Sequence, residues 1–120
     1  MGRMAEIDAE LHELPDEAKA QMEQLNRLIT FGRIAGRHYS HAQSVLESKQ
    51  HDYGPKNISQ SPGGPLNGLR VRMHDKLARI NHLIDNGATP ENESLKDSFL
   101  DLANYAIIAM MVLDGDWPSE

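Results

Sequence analysis

The 120-residue chain has no cysteine, which excludes disulfides and thiolate metal sites and suits a reducing compartment. Aromatic residues are few, with one Trp, three Tyr and two Phe. β-Branched residues are also scarce, so no strand pattern competes with the Ala, Leu, Met, Glu, Lys and Gln that favour helix. Positive charge is limited: 12 Lys and Arg against 18 Asp and Glu leave a formal charge of −6. A general binder of nucleic-acid backbones would normally show a basic footprint. The longest apolar run, residues 105–113, is too short to cross a bilayer. The opening MGRMAEIDAE lacks the apolar core of a signal peptide. The expectation is a cytoplasmic protein with no membrane partner, its length fitting one domain.

The most informative stretch is ENESLKDSFLDLANYAIIAMMVL, residues 91–113, acidic in one half and apolar in the other. Gly87 ends what precedes it, Thr89 is a candidate N-cap and Pro90 fits the first helical position, which predicts a helix from about 90 to 113. At helical spacing Glu93, Asp97, Asp101 and Asn104 share one stripe of roughly 80°. Like charges four residues apart repel, and a core-facing cluster is costly unless a cation or hydrogen-bond donors neutralise it. From Tyr105 to Leu113 the segment is apolar all round, which implies burial among several helices or in an oligomer interface.

Residues 1–14 form a short amphipathic pattern, and residues 15–120 read as one helical domain. After Pro15, the residues Ala18, Met22, Leu25, Ile29, Gly32, Gly36, Tyr39, Gln43 and Leu46 recur at helical spacing to about residue 51. Gly32 and Gly36 either admit a close helix neighbour or break the segment in two. Residues 54–68, rich in Pro and Gly, read as a loop. Leu66, Leu69, Met73, Leu77, Ile80 and Ile84 then mark a bundle helix to about residue 86. Arg70, Arg72, Lys76 and Arg79 crowd its flank around Asp75. Trp117, in the tail, either folds back as a lid or packs at an interface.

Glu93, Asp97 and Asp101 are the oxygen ligands that a Mg²⁺ or Mn²⁺ site would use, with a second helix contributing from Glu47, Asp52 or Asp75. The competing reading makes Glu93 and Asp97 solvated surface acids and pairs Asp101 with Arg72 or Arg79. His38 and His41 could form half of a zinc site but lack further ligands at metalloprotease spacing. Tyr53-Gly54-Pro55-Lys56-Asn57 could offer donors to a phosphate, although it is not a P-loop. No nucleophile motif supports covalent catalysis.

The succession HDYGPKNIS, GLRVRMHDKLARI and ESLKDSFLDLANYAIIAMMVL resembles the phage and bacterial family called nucleotide modification associated domain 1. It is similar, more remotely, to MazG-like all-α nucleoside triphosphate pyrophosphohydrolases. The MazG resemblance implies Mg²⁺ held by acids on two adjacent helices and release of pyrophosphate. It assigns Asp97 and Asp101 of DSFLDLANY, with Asn104 one turn on, to the acidic motif, and Asp75 of MHDKLAR to its partner helix. Catalysis would then rest on Asp97, Asp101 and Asp75.

The expected architecture is an all-α, MazG-like bundle of three to five helices, completed by homo-oligomerisation. The expected site brings Glu47, Lys49, Asp52, Tyr53, Lys56, Asn57, Arg72, Lys76 and Asn104 to the ligand. Glu93, Asp97 and Asp101 would hold the metal. Three functions remain open: Mg²⁺-dependent nucleotide hydrolysis, sequestration of a nucleotide such as a cyclic signalling nucleotide in phage counter-defence, and a structural oligomerisation module. What separates the first two is how many carboxylates converge on one point.

Overall fold

Among the described residues, four helices, α1 (Asp16–Tyr53), α2 (Lys56–Ser59), α3 (Pro65–Asn86) and α4 (Leu95–Leu113), make up the regular structure, and there is no strand. The computed structural model describes residues 13–119. The amphipathic pattern expected over residues 1–14 falls almost wholly outside them. No helix among the described residues is long and apolar enough to cross a membrane.

The chain divides into two units, Met1–Tyr39 and Ser40–Glu120. In the first, the described backbone is chiefly the N-terminal part of α1, with Asp16 and Glu17 favourably placed in the first turn. None of its described residues is buried, and Leu25, Leu28, Ile29 and Phe31 are each more than half exposed. α1 is one continuous helix of 38 residues, so the glycine pair does not break it. A methyl group on Gly32 or Gly36 would meet nothing within 4 Å.

In the second unit α3 and α4 pack along one another. The core is Ile58 from α2, Leu69 from α3 and Ile108 from α4, flanked by Leu46, Tyr105, Ala109, Val112 and Trp117. The segment expected to be loop contains α2, a single turn. It is nucleated by the Pro55 carbonyl, which accepts from the Ile58 and Ser59 amides at 3.2 and 3.0 Å, and it delivers Ile58 to the core. Ser61 Oγ then bonds Asn57 O at 3.0 Å beneath Gly68, where an added Cβ would sit 2.6 Å from Ser61 Cβ. Only a residue without a side chain lets α3 approach this turn so closely.

Gly87 closes α3 in the left-handed conformation at φ 57°, with the Ala88 amide returning to Leu83 O at 3.2 Å. α4 begins at Leu95, five residues later than Thr89 and Pro90 suggest. Its cap is Ser94, whose Oγ accepts from the Asp97 amide at 3.0 Å. Glu93 therefore stands in the link before α4 and does not share a helical stripe with Asp97. The buried face of α4 is Ser98, Asp101, Asn104 and Ile108, three polar residues and one apolar.

Candidate functional site

Asp101 is 8% exposed. It takes Lys49 Nζ on Oδ1 at 2.7 Å and Lys76 Nζ on Oδ2 at 2.9 Å, so α1 and α3 each neutralise the α4 carboxylate. Lys76 also reaches Glu93 Oε1 at 2.9 Å and Oε2 at 3.1 Å. Glu93 Oε2 further accepts from Ser98 Oγ at 2.7 Å and lies 3.5 Å from Arg79 Nη1. Arg79 is fixed by Ser98 Oγ at 2.6 Å and by the Glu93 carbonyl. Three cations thus meet two carboxylates in one chain of contacts.

Burial alone would raise the Asp101 pKa, but the bonds from Lys49 and Lys76 outweigh it and hold the carboxyl below the ordinary aspartate value. Burial alone would lower Lys76, yet its bonds to Glu93 and Asp101 leave it above the ordinary lysine value. The bond to Asp101 likewise raises Lys49.

Asp101 also forms part of the wall of a cavity of ≈ 270 Å³. Tyr53, Tyr105 and Trp117 line it together with the amides of Gln50, Asn57 and Asn104 and the cations Lys49 and Arg72. Asn104 is held by donating Nδ2 to Ala42 O at 3.1 Å. Arg72 donates Nη2 to Asn57 O at 3.0 Å, while its buried Nη1 has no partner among the described residues. Gly115, at φ 77°, turns the chain after α4. Trp117 folds back to donate Nε1 to Pro55 O at 3.1 Å.

Of the expected site residues, Lys49, Tyr53, Asn57, Arg72, Asp101 and Asn104 border this cavity. Lys76 and Glu93 meet Asp101 or its partners in the ion cluster. The remainder do not gather there. Glu47 accepts from Gln43 at 3.2 Å, and Asp52 lies 3.3 Å from His51. Lys56, Asp75 and Asp97 are exposed and form no ion pair among the described residues. Asp101 pairs with the two lysines, not with Arg72 or Arg79.

Sequence reasoning missed Arg79 and Ser98 as the clamp on Glu93, and Gln50 and Tyr105 as cavity wall, whereas Trp117 takes the first of its two expected placements and folds back. The available signal was polar residues at three-residue spacing, Ser98, Asp101 and Asn104, ahead of an apolar run.

These positions decide whether a divalent ion fits. Mg²⁺ requires about six oxygens at about 2.0–2.1 Å. Here an ammonium already occupies the point between Glu93 and Asp101, and Asp97 lies outside the ion cluster. No group of three or more His, Asp or Glu among the described residues is placed to hold a metal. The donor set as arranged does not fit Mg²⁺ or Mn²⁺.

Fold and site define a small all-α protein in which a neutralised acid–lysine cluster borders an aromatic-lined cavity. A family model matches residues 49–113, more than half of the chain, and the protein belongs to that family, described as nucleotide modification associated domain 1. Comparison with curated proteins and with solved structures gave no match.

Proposed function

We propose that the protein binds a nucleotide in this cavity and holds it without turnover. One observation carries the reading: three of the chain's few aromatic residues, with three amides and two cations, line a single cavity. Aromatic faces stack on a planar base at about 1–3 kcal/mol per base. Amide side chains suit hydrogen-bonding base edges, and Lys49 and Arg72 suit phosphate oxygens. The family description points to the same ligand class. Sequestration is favoured over Mg²⁺-dependent hydrolysis because Lys49 and Lys76 already satisfy the carboxylate on which hydrolysis would depend. A cytoplasmic setting, where such ligands are abundant, is part of the same proposal.

The test is thermal stability of the full chain against linear and cyclic nucleotides, with product analysis of the same samples. A ligand at 100 times its Kd stabilises by about 2.7 kcal/mol. We expect stabilisation with the nucleotide recovered intact. Pyrophosphate release would replace this reading with hydrolysis, and no stabilisation by any nucleotide would leave a structural module.

Self-association is the second part of the proposal. It is favoured by the exposed Leu25, Leu28, Ile29 and Phe31 of the first unit and, in the second, by Phe99, Met110 and Leu113. Burial of these side chains against a second copy would remove them from water. Sedimentation at micromolar concentration should give a species heavier than 13.4 kDa, and a stable monomer would refute it.

A further inference from the structure

Glu93 and Asp101 come from different segments, the link before α4 and α4 itself, yet both direct carboxylate oxygens at one point. Lys76 Nζ of α3 stands at that point, 2.9 Å from Glu93 Oε1, 3.1 Å from Oε2 and 2.9 Å from Asp101 Oδ2. Two converging carboxylates repel unless a cation lies between them, and a divalent ion or an ammonium can meet that need. Lys76 is part of the chain, 22% exposed at its side chain, and cannot diffuse away.

We propose that Lys76 is the resident cation of this site, standing where a divalent ion would otherwise bind, so that the charge behind the cavity wall is independent of metal. The ligand class follows, and this clause rests on the nucleotide reading above. A nucleotide with one phosphate per nucleoside needs no escort ion and can take its donors from Lys49 and Arg72. A triphosphate carrying Mg²⁺ would bring a further cation towards a cluster that already holds three cations against two carboxylates.

Mn²⁺ binding to the full chain, read by electron paramagnetic resonance, tests the first claim without any nucleotide. Wild type should show no Mn²⁺ uptake that Asp101→Asn removes. Lys76→Ala should acquire one bound Mn²⁺ per chain and should lose it again when Asp101→Asn is added. Lys76→Met keeps the aliphatic stem and serves if the alanine protein does not fold. Asp101-dependent Mn²⁺ binding by wild type, or a folded Lys76 variant that takes up none, overturns the claim.

Calorimetry with a nucleoside monophosphate and a triphosphate, each in EDTA and in Mg²⁺, tests the ligand class. Monophosphate affinity should be the same in both, and Mg²⁺ should weaken the triphosphate. Tightening by Mg²⁺ overturns the class. Failure of every nucleotide to bind sinks the nucleotide reading while the Mn²⁺ result stands.

Discussion

Asp101 keeps its charge on the buried face of α4 because each of its oxygens has an ammonium partner, and the two ends of this arrangement are not equally dispensable. Truncating Lys76 to alanine strips a partner from two carboxylates at once. The cost should be on the order of 3 kcal/mol, the low end for breaking a buried pair because Lys76 is partly exposed. Asp101→Asn leaves Lys76 with Glu93 and frees the half-exposed Lys49 to water, so it should cost about 1 kcal/mol. Urea unfolding of both variants measures the order, and an equal or reversed loss would contradict it.

The same contacts set the pH profile. Asp101 is depressed in the folded state, so its contribution is present above the ordinary aspartate value of about 3.9 and is lost as pH falls through the lower folded value. Lys49 and Lys76 are raised, so theirs is complete below about 10.4 and is lost as pH climbs through their folded values. Denaturation midpoints should therefore show this cluster's contribution intact between these limits and lost only outside them.

Among the elements, the contact between the first turn of α3 and Ser61 in the link before it leaves no room for a side chain at Gly68. Gly68→Ala forces a methyl against Ser61 and should cost about 1–3 kcal/mol as overpacking. Ser61→Ala in the same background should recover part of it, and a calorimetric melt of the two proteins would show this. Ser94→Ala removes the α4 cap and should cost about 1 kcal/mol. Replacing Thr89, which lies in the link, should do little.

The bodies of α1, α3 and α4 were legible in the sequence, because apolar spacing identifies a helix wherever its interior face is repeated over several turns. α2 was not, since one turn has no period and Pro55 with Gly54 reads as a stop. The start of α4 was misplaced because Thr89 and Pro90 offer a valid local cap. Ser94 is the cap that leaves Glu93 outside the helix to meet Lys76 and Arg79. Within the site, a buried acid in need of a cation was readable from cost alone. Its partners were not, as Lys49 and Asp101 stand 52 residues apart and local pattern carries no such pairing.

For the whole molecule, residue 108 and its neighbours separate folding from assembly. Ile108 is 6% exposed within the core, so Ile108→Glu should unfold the protein. Ile107 and Met110 on the same helix are exposed. If they face a second copy, Ile107→Glu with Met110→Glu should yield a folded monomer. Leu25→Glu with Ile29→Glu asks the same question of the first unit, and light scattering paired with circular dichroism distinguishes dissociation from unfolding.

The chain has a single tryptophan, and its indole sits against the core with its N–H on Pro55 O. Ultraviolet emission excited at the red edge therefore comes from one fluorophore at one address, and that address is the cavity wall. A stacked base should quench it without moving its wavelength, whereas release of the tail into water should shift it to the red. Occupancy and detachment can thus be told apart in the unlabelled protein.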